Sequence, residues 1–340
     1  MKTLHTYTSY GRSAGSARVR VFDWLDRVDV PAVSHSYLDS ASNSPRSLLR
    51  SPLRLLEAEW RLRRAPSGGA TVLVSRQASP LSRGGVEGRL LRGAGFGVYD
   101  FDDALYLDRR GPLPKAAIWR SAVAAADRVI AGNATLAEQA SRVNRDVTVI
   151  PSCVDPAQYT RKTDFDIHSA PRAVWIGSPA TEHYLLDIES ALLRAHEETG
   201  MRLSVISAGS ATLGALDAIV DRVEWSPQTF GAALAGADLG LMPTPDSAWA
   251  RGKCGYKLLQ YGAAALPMMG DPVGVNAEIL ERGDGLAPRS TAEWTDALIG
   301  FFSESAGRRR GRGDAGHRAV LEHYSFAAWE EAWRQAVTGV

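Results

Sequence analysis

Short apolar runs alternate with helix-periodic stretches along this 340-residue chain, and they do so in two successive series. Residues 3–10, 71–75, 97–101, 128–131 and 147–151 read as strands, with helical stretches at 16–28, 113–126 and 135–143 among them. The second series of strands runs 173–177, 203–207, 223–225, 239–242 and 266–270. Parallel strands need a crossover of a dozen or more residues, which a helix supplies, so the alternation predicts α/β architecture with parallel sheets in two Rossmann-like halves. In helix 16–28, Val19, Phe22 and Leu25 are expected to face a core. The polar segment 158–172, with Lys162, Asp164, Asp166 and Pro171, reads as the linker. An N-terminal domain is therefore expected over 1–153 and a C-terminal one from 154, in a chain too long for one core.

The formal net charge of +1 argues against nucleic acid as a partner. Cys153 and Cys254, the two cysteines, lack metal-ligand spacing, so no disulfide framework is expected and a reducing, cytoplasmic setting fits. No signal peptide is read at the start, and the most apolar later segment, 116–131, is broken by Arg120, Asp127 and Arg128. The seven histidines form no His-Glu-x-x-His pair, and neither a G-x-S-x-G elbow nor a P-loop occurs. These absences disfavour a zinc enzyme, a hydrolase of that class and an NTPase, and no metal or cofactor is expected.

Charge and glycine concentrate in 251–267, RGKCGYKLLQYGAAALP, which follows a buried strand ending in a Pro-rich turn (237–245). Leu258, Leu259 and Tyr261 give the following stretch a packed helical side. A helix N-terminus offers unpaired N–H groups and the positive end of a dipole, so Arg251, Lys253 and Lys257, with Gly255 and Tyr256 at the helix start, are expected to converge on a phosphate. Three carboxylates, Asp100, Asp102 and Asp103, cluster where the strand of GVYDFDDALYL (97–107) ends, the place where open α/β sheets put their chemistry. Turn capping is the competing role for such aspartates. Gly11, Gly15 and Ser16 make a second loop beyond a strand. The segment 45–64, PRSLLRSPLRLLEAEWRLRR, reads as a basic amphipathic helix: a solvated face, a weak peripheral contact with anionic lipid, or a surface that receives an anionic acceptor.

Five segments resemble the family 4 glycosyltransferases, in the family's order: ADRVIAGNATLAEQ (126–139), VTVIPSCVDPAQY (147–159), VEWSPQTFGAALAGADLGLMPTP (223–245), KLLQYGAAALPMMGDPVGVNAEIL (257–280) and HRAVLEHYSFAAWEEAW (317–333). The resemblance implies a GT-B fold, two Rossmann-like domains facing across a cleft, with the donor domain in 154–322 and a closing helix in 323–340 that packs back on the N-domain. It also implies transfer of a sugar from a nucleotide diphosphate sugar, a UDP-sugar first, with retention at the anomeric carbon and no required metal. The acceptor, a small molecule, a glycan or a lipid-linked saccharide, is left open, as is the oligomeric state.

The chain departs from the family where two donor-site glutamates eight positions apart are customary: Gly252 and Gln260 stand there. Gln260 can still hydrogen-bond ribose hydroxyls, and Asp246 is a candidate for the first glutamate's role. The loop after the first C-domain strand lacks the family's Arg and Lys, leaving Gly177 and Ser178 to approach the phosphates, while the Gly274 and Val275 amides would face the sugar or its phosphates. Asp102 matches the position of the family's acceptor-side His, with Asp103 next. Two rival readings stay open: a non-hydrolysing nucleotide-sugar epimerase of the same fold, and a catalytically silent nucleotide-sugar-binding homologue.

Overall fold

The first series of apolar runs forms six parallel strands, Leu4–Thr8 (β1), Ala32–Ser36 (β2), Thr71–Ser75 (β3), Phe96–Phe101 (β4), Arg128–Ala131 (β5) and Val147–Val149 (β6), in the order β2-β1-β3-β4-β5-β6. The computed structural model describes residues 2–40, 52–64, 69–109, 113–167, 170–226 and 228–339. The chain divides into two units: residues 1–153 with 252–254 and 329–340, and residues 154–251 with 255–328.

In the first unit the central strands are mostly apolar and buried on both faces, as parallel sheets covered by helices require. Each fully buried Val or Leu there contributes about 1.5–3 kcal/mol. The edge strand β2, AVSHS, is largely exposed, and its polar content hides it from a search for apolar runs. The expected helix 16–28 is shorter and irregular: helical turns at Gly15–Ala17 and Asp23–Leu25 flank a π-helical stretch, Arg18–Phe22. The wider turn rotates the packed face. Val19, Val21, Phe22 and Trp24 are buried together with Arg20, whereas Leu25 is only half-buried. Trp24 stacks on Trp333 of the helix Phe326–Thr338, with ring centroids 5.3 Å apart, and Arg128 donates to the Gln335 carbonyl at 3.1 Å.

The second unit has five parallel strands, Arg172–Ile176 (β7), Arg202–Ser207 (β8), Val220–Glu224 (β9), Leu239–Met242 (β10) and Met268–Gly270 (β11), in the order β11-β10-β7-β8-β9. Side chains alternate between two cores, as a period of two demands. Ala173, Trp175, Leu203, Val205, Leu239 and Leu241 pack with Trp294 and Phe301. Val174, Ile176, Ile206 and Met242 pack on the other side with Leu258, Leu259 and Ile279. Segment 158–172 is no loose linker in its described residues: Phe165 is buried, the Lys162 amide donates to the Ala264 carbonyl at 2.8 Å, and Arg309 Nε donates to the Phe165 carbonyl at 3.0 Å.

Candidate functional site

In each sheet the chain reverses its direction of growth at one strand pair, between β1 and β3 in the first unit and between β7 and β10 in the second. Loops leave such a pair toward opposite faces, which opens a crevice at the carboxyl ends. In the second unit its origin is visible at atomic level. β7 and β10 pair only through Leu239 with Ala173 and Gly240 with Val174. Beyond that, the Tyr261 hydroxyl donates to the Leu241 carbonyl at 2.8 Å and accepts the Ile176 N–H at 3.3 Å, taking the place of ladder bonds. Gly240 makes room for it, since a Cβ there would lie 2.4 Å from the Tyr261 ring.

Trp175, Gly177 and Ser178 stand at the end of β7, and the Lys257 stem lies against Trp175 and Gly177. A Cβ on Gly177 would meet Trp175 at 2.5 Å and Lys257 Cε at 2.7 Å, and the Lys257 ammonium lies 5.1 Å from the Trp175 ring centroid. Gly255, in the left-handed region at φ 63°, precedes the helix Tyr256–Ala263, so Tyr256 and Lys257 sit in its first turn. Val275 opens a second helix, Val275–Arg282, behind Gly274, where a Cβ would lie 2.7 Å from the Arg251 carbonyl oxygen. Gln260 is buried. Beside these, a cavity of about 300 Å³ is lined by Thr244, Asp246, Asp271, Val273, Arg289 and Trp294 among others. Asp271 accepts from the Thr244 amide at 2.7 Å and from Trp294 Nε1 at 3.0 Å, and burial pushes its carboxyl above the ordinary range. Asn276 donates toward Thr244 Oγ1 and the Asp271 carbonyl, while its buried Oδ1 has no hydrogen-bond partner. Its apolar neighbours gave the sequence reading no reason to select it.

The carboxylate cluster belongs to the first unit and separates into two layers. Asp100 is 0% exposed; Arg20 donates to it through Nε at 3.1 Å and Ser75 Oγ at 3.0 Å, while Arg20 NH1 donates to the Ile150 carbonyl at 2.8 Å. Burial raises the Asp100 pKa despite the guanidinium beside it. Asp100 is therefore a structural ion-pair partner closed to substrate, which corrects its assignment as a catalytic candidate. Above it, Ser16 Oγ donates to both Asp102 oxygens at 2.9 and 2.8 Å, so Ser16 of the glycine loop does join the cluster. Gly15 lies at the start of that helix, and Gly11 is turned toward Asp39 and Ser40. Arg76 bridges Asp102 at 3.2 Å and Asp103 at 2.8 Å, and Lys253 Nζ reaches Asp103 at 2.8 Å. Burial alone would raise the Asp103 carboxyl, yet these two cations hold it below the ordinary range.

Arg76 was missed because nothing in SRQ marks it. It follows β3 with φ 60°, a left-handed conformation that costs a non-glycine residue about 1–3 kcal/mol. Its amide donates to the Asp100 carbonyl at 2.8 Å and its carbonyl accepts the Tyr99 hydroxyl at 2.9 Å, fixing the turn that aims the guanidinium.

The expected convergence of three cations on one phosphate does not hold. Arg251 is paired with Asp246 at 2.7 Å, and both side chains are exposed. Lys253 neutralises Asp103, and Lys257 alone lies against the β7 loop. Gly252 has a steric reason to lack a side chain: a Cβ there would meet Ala104 Cβ at 2.7 Å. The tripeptide is further held by the Asn133 amide, donating to the Lys253 carbonyl at 2.8 Å, and by Cys254 Sγ on the Asp102 carbonyl. Burial pushes the Cys153 and Cys254 thiols up to about 12, which leaves neither as a nucleophilic thiolate at neutral pH. Among the described residues no group of three or more His, Cys, Asp or Glu side chains is placed to hold a metal ion, and no helix is long and apolar enough to cross a membrane.

No protein-family model matches the sequence, and comparison with curated proteins finds no match either. Solved structures do match over the full length of both chains. The sucrose-phosphate synthase of Thermosynechococcus elongatus is 14% identical with a TM-score of 0.73, with 100% of each chain covered. Anabaena HepE in complex with UDP and glucose is 13% identical with a TM-score of 0.71, again with 100% of each chain covered. WaaG, a glycosyltransferase involved in lipopolysaccharide biosynthesis, is 15% identical with a TM-score of 0.65 and the same coverage. With two parallel-sheet α/β domains in one chain, this protein has the fold of the GT-B glycosyltransferase structures.

Proposed function

We propose that this protein is a glycosyltransferase that moves a sugar from a nucleotide diphosphate sugar, a UDP-sugar first, onto an acceptor hydroxyl or amine, with retention at the anomeric carbon and no required metal. The observation that carries the reading is the packing of Lys257 against Gly177 at the switch point of the second sheet, in the first turn of a helix. Full-length likeness to a structure that holds UDP and glucose supports it. A diphosphate there meets the Lys257 ammonium and the N–H groups of a helix start, and both stabilise the leaving nucleotide as the glycosidic bond breaks. The acceptor attacks from the face the phosphate leaves, and a phosphate oxygen takes its proton. Asp102, oriented by Ser16 and Arg76, is the group assigned to the acceptor. An epimerase would need a carboxylic acid that gives and takes a proton, and Asp103, held ionised by Arg76 and Lys253, is unsuited to it.

Two measurements test this. Lys257→Ala is expected to weaken UDP binding about tenfold to a hundredfold and leave uridine binding unchanged, since a charge-assisted phosphate bond is worth about 1.5–3 kcal/mol. Arg251→Ala, removing a cation already paired at the surface, is expected to do much less. Calorimetric titration of UDP and uridine reads both, and equal losses for the two ligands place the diphosphate elsewhere. Asp102→Asn is expected to keep the melting temperature and UDP affinity while kcat falls about tenfold or more. An unchanged kcat, measured with a donor and acceptor panel, assigns Asp102 to holding Ser16 and Arg76 alone.

A further inference from the structure

Of the basic segment 45–64, residues 52–64 are described, and Pro52–Arg63 is a helix whose buried residues are Ala58 and Leu62. Packing of this helix on the first sheet leaves a cavity of about 310 Å³. Tyr7, His35 and Tyr37 line it from β1 and the end of β2, and Trp60, Leu62 and Arg64 from the helix. The volume lies at the small end of ligand pockets, which run from about 300 to 1,000 Å³. Its wall suits a flat ring: Tyr7 and His35 are stacked with centroids 4.5 Å apart, and Ala58, Leu62 and Ala78 add apolar surface. The charged residues lining it are Arg61 and Arg64, both exposed, and no carboxylate lines it among the described residues. Glu59 is engaged elsewhere, accepting from the Tyr37 hydroxyl at 2.7 Å and from Ser79 Oγ. Burial, with His5 and Arg61 beside it, holds the His35 imidazole below its ordinary range, so it is neutral at pH 7. One donor is left over. Tyr7 is 2% exposed, and its hydroxyl finds no hydrogen-bond partner among the described residues. Burial raises the phenol further, which keeps the proton in place. A buried O–H without an acceptor is costly, and a ligand oxygen relieves that cost.

We propose that this cavity binds a small aromatic carboxylate, with one or two fused rings against the apolar wall and the carboxylate at Arg61, Arg64 and the Tyr7 hydroxyl. A guanidinium matches a carboxylate geometrically, and Arg64, 4.0 Å from the Trp60 ring centroid, is already held over an aromatic face. A saccharide is the poorer occupant. Hydroxyls on every side of a sugar need polar partners, and Ala58, Leu62 and Ala78 provide none. The turn after β3 joins this cavity to the carboxylate pair, since Ala78 lines the one and Arg76 holds Asp102 and Asp103 of the other. The bound aromatic acid is thus the sugar acceptor, its ring hydroxyl directed along that turn toward Asp102. This last step rests on the transferase reading; the binding does not.

Calorimetric titration of the full chain with 6-hydroxy-2-naphthoate, 2-naphthol, acetate and methyl glucoside tests the site. The naphthoate is expected to bind, the uncharged naphthol to bind about tenfold more weakly, and acetate and the glucoside not to bind measurably. Replacing Arg61 and Arg64 together by Gln is expected to abolish the preference for naphthoate over naphthol. Tyr7→Phe, which removes the unmet donor and keeps the ring, is expected to weaken naphthoate about threefold or more. Circular dichroism checks the fold of both variants. The site is wrong if naphthoate does not bind, if naphthol binds equally well, or if both variants bind as the parent does. Glucoside binding that naphthoate displaces assigns the cavity to a saccharide and likewise overturns the proposal. For the acceptor step, a panel of UDP-sugars is added with the naphthoate and its glycoside is sought by chromatography. Naphthoate binding without glycoside, in protein that binds UDP, removes the acceptor step. If UDP itself fails to bind, the donor reading falls and the cavity assignment stands on the naphthoate titration alone.

Discussion

Arg20→Ala is expected to destabilise the first unit by about 3–5 kcal/mol, the cost of leaving a buried charge without its partner. The Asp100 carboxylate lies at 0% exposure, and Ser75 alone cannot offset its lost hydration. The Ile150 carbonyl, which accepts from the same guanidinium, is orphaned as well. The double replacement Arg20→Met with Asp100→Leu is expected to recover a large part of the loss, because exchanging both members for apolar groups removes the desolvation of both. Urea unfolding of the two singles and the double forms a cycle whose coupling free energy is the result. Additive losses would show that the pair does not act as one unit.

Gly252→Glu, which writes the family's customary residue into this chain, is expected to destabilise the protein by about 2–3 kcal/mol and to lower transfer rather than raise it. The new Cβ must displace Ala104, and the carboxylate adds a negative charge beside Asp102 and Asp103, whose charge Arg76 and Lys253 already pair. Thermal unfolding and a donor-hydrolysis assay check it together. A variant as stable as the parent would mean that residues 252–254 do not pack on the 102–104 turn.

How far the sequence could be read follows from where its physics is local. Strands β3, β5 and β10 coincide with the expected runs because each carries an unbroken apolar stretch bounded by polar residues or turns. β2 escaped because an exposed edge needs no apolar signal, and the helix at Gly15–Leu25 was mis-phased because a π turn has no mark in composition. The carboxylates were found as a cluster at a strand end, but sorting them required their partners. Arg20 is 80 positions from Asp100 and Lys253 is 150 positions from Asp103, and an arginine inside a helical pattern reads as surface unless its mate is known. The cations around 251–257 misled for the complementary reason: adjacency in sequence suggested one anion, whereas alternate residues of a turn point to different neighbours.

The first unit is assembled from three pieces of chain, and this bears on how it is made. Domains emerging from a ribosome begin to fold as soon as their residues are available. Residues 1–153 leave early, yet Trp24 waits for Trp333 and Asp103 waits for Lys253. Until then an indole and a partly buried carboxylate stand uncovered in a nascent sheet that has both edges open. The second unit, continuous but for one tripeptide, can close first. Grafting the first unit onto another protein of this architecture therefore calls for transplanting all three pieces, since a cut at residue 153 would deliver a half that never completes.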